Sequence, residues 1–231
     1  MPRVIDHALA YAAAGMPVFR LSKAKVPLKN THGHLDATTN PATIREWFDG
    51  QDLNLGLATG DLVVLDFDGG EEAFASPWGQ SYLAAAKEAG RTPATAVVQT
   101  RRGVHLYFRS PAGVHIRARN EPRKTKGAAG IDIKAHGGYV LLPPSVSNGF
   151  EYKWLHVVEI VELPPWLHRW IESLGGQREP ALELPAHLRG RQRSGIMDRA
   201  RRQDGASEHD VERVREALAA IPPDGYDEWY Q

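Results

Sequence analysis

Leu62-Val63-Val64-Leu65-Asp66-Phe67-Asp68 is the stretch on which the fold turns. It lies between a Thr59-Gly60-Asp61 turn and a Gly69-Gly70 pair, so the apolar run predicts a strand. Alternate side chains on a strand share a face: Asp66 and Asp68 emerge together, while Leu65 and Phe67 enter a covered face. Two neighbouring carboxylates repel unless a cation lies between them. Hard oxygen donors of this kind suit Mg²⁺ or Mn²⁺, ions that also bind phosphate oxygens. The plainer alternative is a polar strand end running into a glycine turn.

Two later segments repeat the pattern. In Gly103-Val104-His105-Leu106-Tyr107-Phe108 the apolar side chains share one face and His105 projects with Tyr107 from the other. Gly103 leaves the backbone open to close approach by a ligand. In Gly130-Ile131-Asp132-Ile133-Lys134, Asp132 and Lys134 emerge opposite the isoleucines, a carboxylate for metal and an ammonium for phosphate. Taken singly, the histidine reads as a sheet-surface residue and the Asp132–Lys134 pair as a surface ion pair. Taken together, the three strands predict a sheet with helices beneath and a metal–phosphate site above. Three carboxylates can hold one or two ions, and two ions about 4 Å apart can stabilise both attacking and leaving oxygens.

Outward from this centre, Val4 to Ala14 reads as a helix stopped by Gly15, and Pro17 to Leu21 as a short strand. Ser22 to Asn40 reads as a loop, and Asn40-Pro41 opens a helix through Phe48. Asn54 to Ala58, Thr95 to Gln99 and Tyr139 to Leu142 are further strands, Ser76 to Ala89 and Pro164 to Leu174 helices, and Phe150 to Leu155 an edge strand. The loop Ser110 to Ala129 carries Arg117, Arg119, Arg123, Lys124 and Lys126, a candidate track for single-stranded template. Arg189 to Arg202 is a second such run. The expected organisation is an α/β (α+β) catalytic domain over 1–174, its mostly antiparallel sheet flanked by helices and its site on the open face. A basic linker over 175–206 and a helical tail over 207–231 follow. Aromatic residues close to Gln231 read as the end of a piece cut from a longer protein.

The chain has 231 residues, 42% of them hydrophobic and 24% charged, an ordinary globular balance. Its formal net charge is zero, so affinity for nucleic acid must come from local patches. Cysteine is absent, which excludes disulfides and any cysteine-ligated zinc site. Without a long apolar run or secretory leader, the chain reads as soluble and cytoplasmic, with no membrane partner.

The order of motifs resembles the bifunctional primase/polymerase branch of the archaeo-eukaryotic primase superfamily. The likeness rests on Asp66 and Asp68, then Gly103 with His105, then Asp132. Lys25-Val26-Pro27, Asp36-Ala37-Thr38-Thr39-Asn40, Asn54-Leu55-Gly56 with Thr59-Gly60, and Gly137-Gly138-Tyr139 through Pro143-Pro144-Ser145 extend it over roughly residues 3 to 155. The resemblance implies Asp66, Asp68 and Asp132 as metal and catalytic residues. It implies His105 at the triphosphate of an incoming dNTP or NTP, assisted by Lys134, with Gly103 and Ser145 in the nucleotide site. Where the family has serine and a glycine pair, this chain has Arg101-Arg102-Gly103, so either one of the arginines grips phosphate or the nucleotide contact differs from the family's. The last segment, Ala217 to Trp229, resembles the start of a helical primase C-terminal module, which in phage and plasmid replication proteins precedes a helicase.

Leu65-Asp66-Phe67-Asp68-Gly69 also looks like the nucleophile strand of a haloacid dehalogenase-type phosphatase, but Gly70-Glu71-Glu72 follows and no late acidic pair appears. A nucleotide-sugar transferase leaves Asp132, Lys134 and the histidine strand unexplained. A non-catalytic origin-binding or helicase-loading module leaves the three acids without a task.

Overall fold

The computed structural model describes residues 3–90, 94–122 and 127–174. Helix boundaries follow the local signals. Helix α1 (Val4–Ala13) buries Ile5, Ala8, Tyr11 and Ala12 at helical spacing. At the start of α2 (Pro41–Phe48), Asn40 Oδ1 accepts the N–H groups of Ala42 and Thr43. Ser76 caps α3 (Pro77–Ala89), which ends at Gly90 with φ 73°. Helix α4 (Pro165–Ser173) buries Leu167, Trp170 and Ile171.

Strands β1 (Val18–Leu21), β2 (Asn54–Ala58) and β7 (Tyr139–Leu141) form a small sheet in the order β1-β2-β7. A larger sheet contains β3 (Leu62–Asp68), β4 (Val97–Gln99), β5 (Gly103–Arg109), β6 (Gly130–Lys134) and β10 (Lys153–His156), in the order β10-β4-β5-β3-β6. Strands β8 (Val146–Ser147) and β9 (Phe150–Glu151) pair with each other. Every ladder is antiparallel. The mixed helix and antiparallel-sheet architecture expected from the sequence is the one found.

Strand β3 is the seam between two cores. Val63, Leu65 and Phe67 join Phe108, Ile131 and Ile133 against Tyr82 of α3 and Leu167, Trp170 and Ile171 of α4. On the other face Val64, Val98 and Tyr107 pack with Tyr11, Phe19, Leu55 and Leu57. Helices α3 and α4 therefore lie beneath the sheet as expected, but α1 packs on the opposite side, so the face above is open only in part. The small sheet and α1 cover its first half, where Val64 and Tyr107 share a core with Tyr11, Leu55 and Leu57. Exposure rises along β3 where that cover ends: Val64 is 0% exposed, and the side chains of Asp66 and Asp68 are 17% and 25% exposed.

Other departures are local. The edge strand expected over Phe150 to Leu155 splits at the buried Tyr152, whose N–H donates to the Ser145 carbonyl. The loop Ser22 to Asn40 holds a 3₁₀ turn, Gly33–Asp36. The loop after Ser110 lies along the outer edge of β6, where Arg119 and Ile133 exchange backbone hydrogen bonds of 2.8 Å in both directions and cover an edge that would otherwise be unpaired. The linker and tail, including Arg189 to Arg202, lie outside the described residues, as do Arg123, Lys124 and Lys126.

Helix α1 also carries a pH dependence. His7 is buried, its Nδ1 has no hydrogen-bond partner among the described residues, and burial holds its pKa below the ordinary 6.5. The unfolded chain therefore binds this proton more readily than the folded one. The associated stability is fully present above pH 6.5 and is lost as pH falls through the depressed folded value. Urea midpoints measured from pH 7.5 to 5 should fall on the acid side, and His7→Leu should flatten that slope. An unchanged slope in the variant would assign the acid sensitivity elsewhere.

Candidate active site

The register of the large sheet assembles the site. Asp66 on β3 stands opposite His105 on β5 and, on its other side, opposite Asp132 on β6. Directly opposed residues on antiparallel strands share a face, with Cβ atoms about 5 Å apart. Asp68, two residues on, stands between Gly103 and Gly130. One row is thus histidine–aspartate–aspartate, and the next sets a single aspartate between two glycines.

Each carboxylate meets a cation or a ring nitrogen. His105 Nε2 lies 3.4 Å from Asp66 Oδ1. Tyr107 Oη lies 3.5 Å from the other ring nitrogen, Nδ1. If the phenol donates there, the ring proton sits on Nε2 and faces Asp66, an assignment that follows from the partners. Burial, with the Asp66 charge adding to it, pushes the Tyr107 phenol well above its ordinary range, so it stays a donor. Lys134 Nζ donates to Asp132 Oδ2 at 3.0 Å and to Asn120 Oδ1 at 2.9 Å. An Arg102 guanidinium nitrogen lies 3.9 Å from Asp68 Oδ2.

A residue that sequence reasoning missed fixes the Asp132 end. Glu121 is 5% exposed, and its carboxylate accepts the backbone N–H of Trp78 at 2.7 Å and of Ile131 at 2.8 Å. Its own N–H donates to Asp132 Oδ1 at 3.0 Å. Glu121 thereby ties the first turn of α3, the strand carrying Asp132 and the carboxylate itself to one point. Its only signal in the sequence is that it is the single acid within the basic stretch from Arg117 to Lys126.

Among the described residues no three ligating side chains are gathered as a ready-made metal cage. The donor chemistry nevertheless suits a hard divalent cation: acidic oxygens stand on adjacent strands of one face, with Arg102 beside Asp68 and Lys134 on Asp132.

The model of the family described as bifunctional DNA primase/polymerase, N-terminal, matches residues 8–166. The chain belongs to that Prim-Pol family. No curated protein matches it. Family membership makes this a primase/polymerase domain, of a class that transfers nucleotides and uses DNA and nucleotides as substrates. The phosphatase reading also fails on topology, since it needs a parallel, Rossmann-like sheet and β3 pairs antiparallel on both sides.

The remaining predicted residues of the Prim-Pol domain are placed as follows. Arg101 is exposed, at the turn before β5. Gly103 lets β3 pack closely, because a Cβ there would land on the Phe67 carbonyl. Ser145 is buried, and its hydroxyl accepts from Leu55 N–H at 2.8 Å and donates to Leu55 O at 3.2 Å, pinning β2. Arg117 is exposed. Arg119 donates to the Ile171 carbonyl at 2.8 Å, near the end of α4. No helix among the described residues is long and apolar enough to cross a membrane.

Proposed function

We propose that residues 1–174 form a catalytic domain performing divalent-metal-dependent, template-directed nucleotidyl transfer. A primer 3′-hydroxyl, or in initiation that of a first nucleotide, attacks the α-phosphate of a nucleoside triphosphate and releases pyrophosphate. The observation that carries this reading is the register row His105–Asp66–Asp132 with Asp68 one pleat further on. Asp66, Asp68 and Asp132 would hold Mg²⁺ or Mn²⁺. Such a cation, when bound, lowers the pKa of the attacking hydroxyl and neutralises charge at the reacting phosphate. Lys134, released from Asp132, and Arg102, close to Asp68, bring positive charge to the phosphates. His105, oriented by Tyr107, presents an N–H over the same face. Arg117, with Arg123, Lys124 and Lys126, remains the proposed template track; Arg119, tied to α4, serves to hold that stretch in place.

In this reading residues 175–206 are a linker and 207–231 begin a helical module. The whole works in phage- or plasmid-type replication beside a helicase, in the host cytoplasm. Incubating the chain with a primed single-stranded template, labelled dNTPs or NTPs, and Mn²⁺ or Mg²⁺ tests the proposal. Templated extension is the expected result. Phosphate release without extension, or binding without chemistry, would overturn it.

A further inference from the structure

Lys25 sits at a backbone position that ordinary residues avoid. Its φ is 64°, in a turn closed by Lys25 N–H to the Ser22 carbonyl and Ser22 N–H to the Val26 carbonyl, both 2.9 Å. The turn directs the side chain across the molecule. Nζ donates to Tyr152 Oη at 2.9 Å and lies 5.3 Å from the centre of that ring. Tyr152 is buried, and its ring packs 6.0 Å from the ring of His105, which reaches Asp66. Contacts therefore run unbroken from this ammonium to the row of acids.

The charge environment distinguishes Lys25 from its neighbours. Lys23 pairs with Asp52 at 2.6 Å, and Lys134 with Asp132 at 3.0 Å. No carboxylate lies within ion-pair distance of the Lys25 ammonium among the described residues; the side-chain group that receives its hydrogen bond is a neutral phenol. A partly buried ammonium held by a phenol keeps most of its charge available for an anion. Tyr139 Oη, 3.5 Å from the Lys25 carbonyl, adds a second tie to the same turn.

We propose that Lys25 is a phosphate-binding residue of the nucleotide site and that, positioned by Tyr152 beside His105, it takes the terminal phosphates of the incoming nucleoside triphosphate. This rests on the nucleotidyl-transfer reading above. It adds to it that the loop before the small sheet, not only the large sheet, grips the substrate.

Calorimetric titration of the full chain with dATP, dAMP and inorganic triphosphate, each with Mn²⁺, tests it. Lys25→Gln should weaken dATP and triphosphate roughly tenfold to a hundredfold while leaving dAMP within about twofold. Lys25→Arg should retain most of the affinity. Mn²⁺ binding without nucleotide, followed by electron paramagnetic resonance, should be unchanged. Equal weakening of dAMP and dATP, or a lowered melting temperature with unaltered affinities, would reduce Lys25 to a tie for the loop and overturn the proposal. Failure of wild-type chain to bind dATP at all, or Mn²⁺ binding that survives Asp66→Asn with Asp68→Asn, would instead overturn the underlying reading.

Discussion

Asparagine at Asp66, Asp68 or Asp132 is expected to lower nucleotide incorporation by about three orders of magnitude and to leave the fold standing. The fold should survive because an amide keeps the shape and one acceptor oxygen. In Asp132→Asn that oxygen can still receive the Glu121 N–H. Removing a charge from a face that crowds acids relieves repulsion as well as breaking an ion pair, so melting temperatures should move little. Activity should collapse because, among the described residues, no other carboxylate on β3, β5 or β6 stands in register with the three. Primer extension read beside thermal melting and Mn²⁺ binding separates the possibilities. A folded Asp66→Asn protein that still extends primers would end the assignment.

Glu121→Ala should produce the largest loss of stability among single changes around the site, about 3 kcal/mol. The substitution leaves the N–H groups of Trp78 and Ile131 without their acceptor in a buried place. It also removes a negative charge from the N-terminal turn of α3, where the helix dipole favours one. Glu121→Gln keeps one acceptor and should lose about half as much. Urea denaturation measures both. Because the carboxylate anchors the segment whose backbone N–H at position 121 holds Asp132, Mn²⁺ affinity should fall even in the fraction that remains folded. Equal denaturation midpoints for wild type and the alanine variant would mean that the carboxylate bears no such load.

The sequence already contained the strands that carry chemistry. Asp66, His105 and Asp132 each alternate with large apolar residues, and the period of two that sends those into the α3–α4 core necessarily sends the polar groups the other way. What alternation cannot contain is register. That His105 and Asp132 flank Asp66 follows from pairing across long connections, and a slip of two residues would look identical in sequence. Glu121 was illegible for a related reason: its partners are backbone N–H groups 43 and 10 positions away. Lys25 and Tyr152 meet across 127 positions. Ser145 and Gly103 show the converse. Both read as ligand-site residues in a motif, and each also answers a neighbouring strand, Ser145 through Leu55 and Gly103 through Phe67, which the motif does not reveal. Half-coverage of the sheet face was hidden too, since the apolar residues of β2 do not say which surface they will meet.

Strand β3, with a core against each of its faces through Val63, Val64 and Leu65, is among the last parts of the domain that could breathe. The acids it carries are thus anchored in the slowest-opening tier of the molecule, whereas Lys25, Asn120 and Arg117 ride on surface connections. On the proposed function, substrate capture on such a frame would fall to the rim, whose surface connections open more readily than the strand beneath.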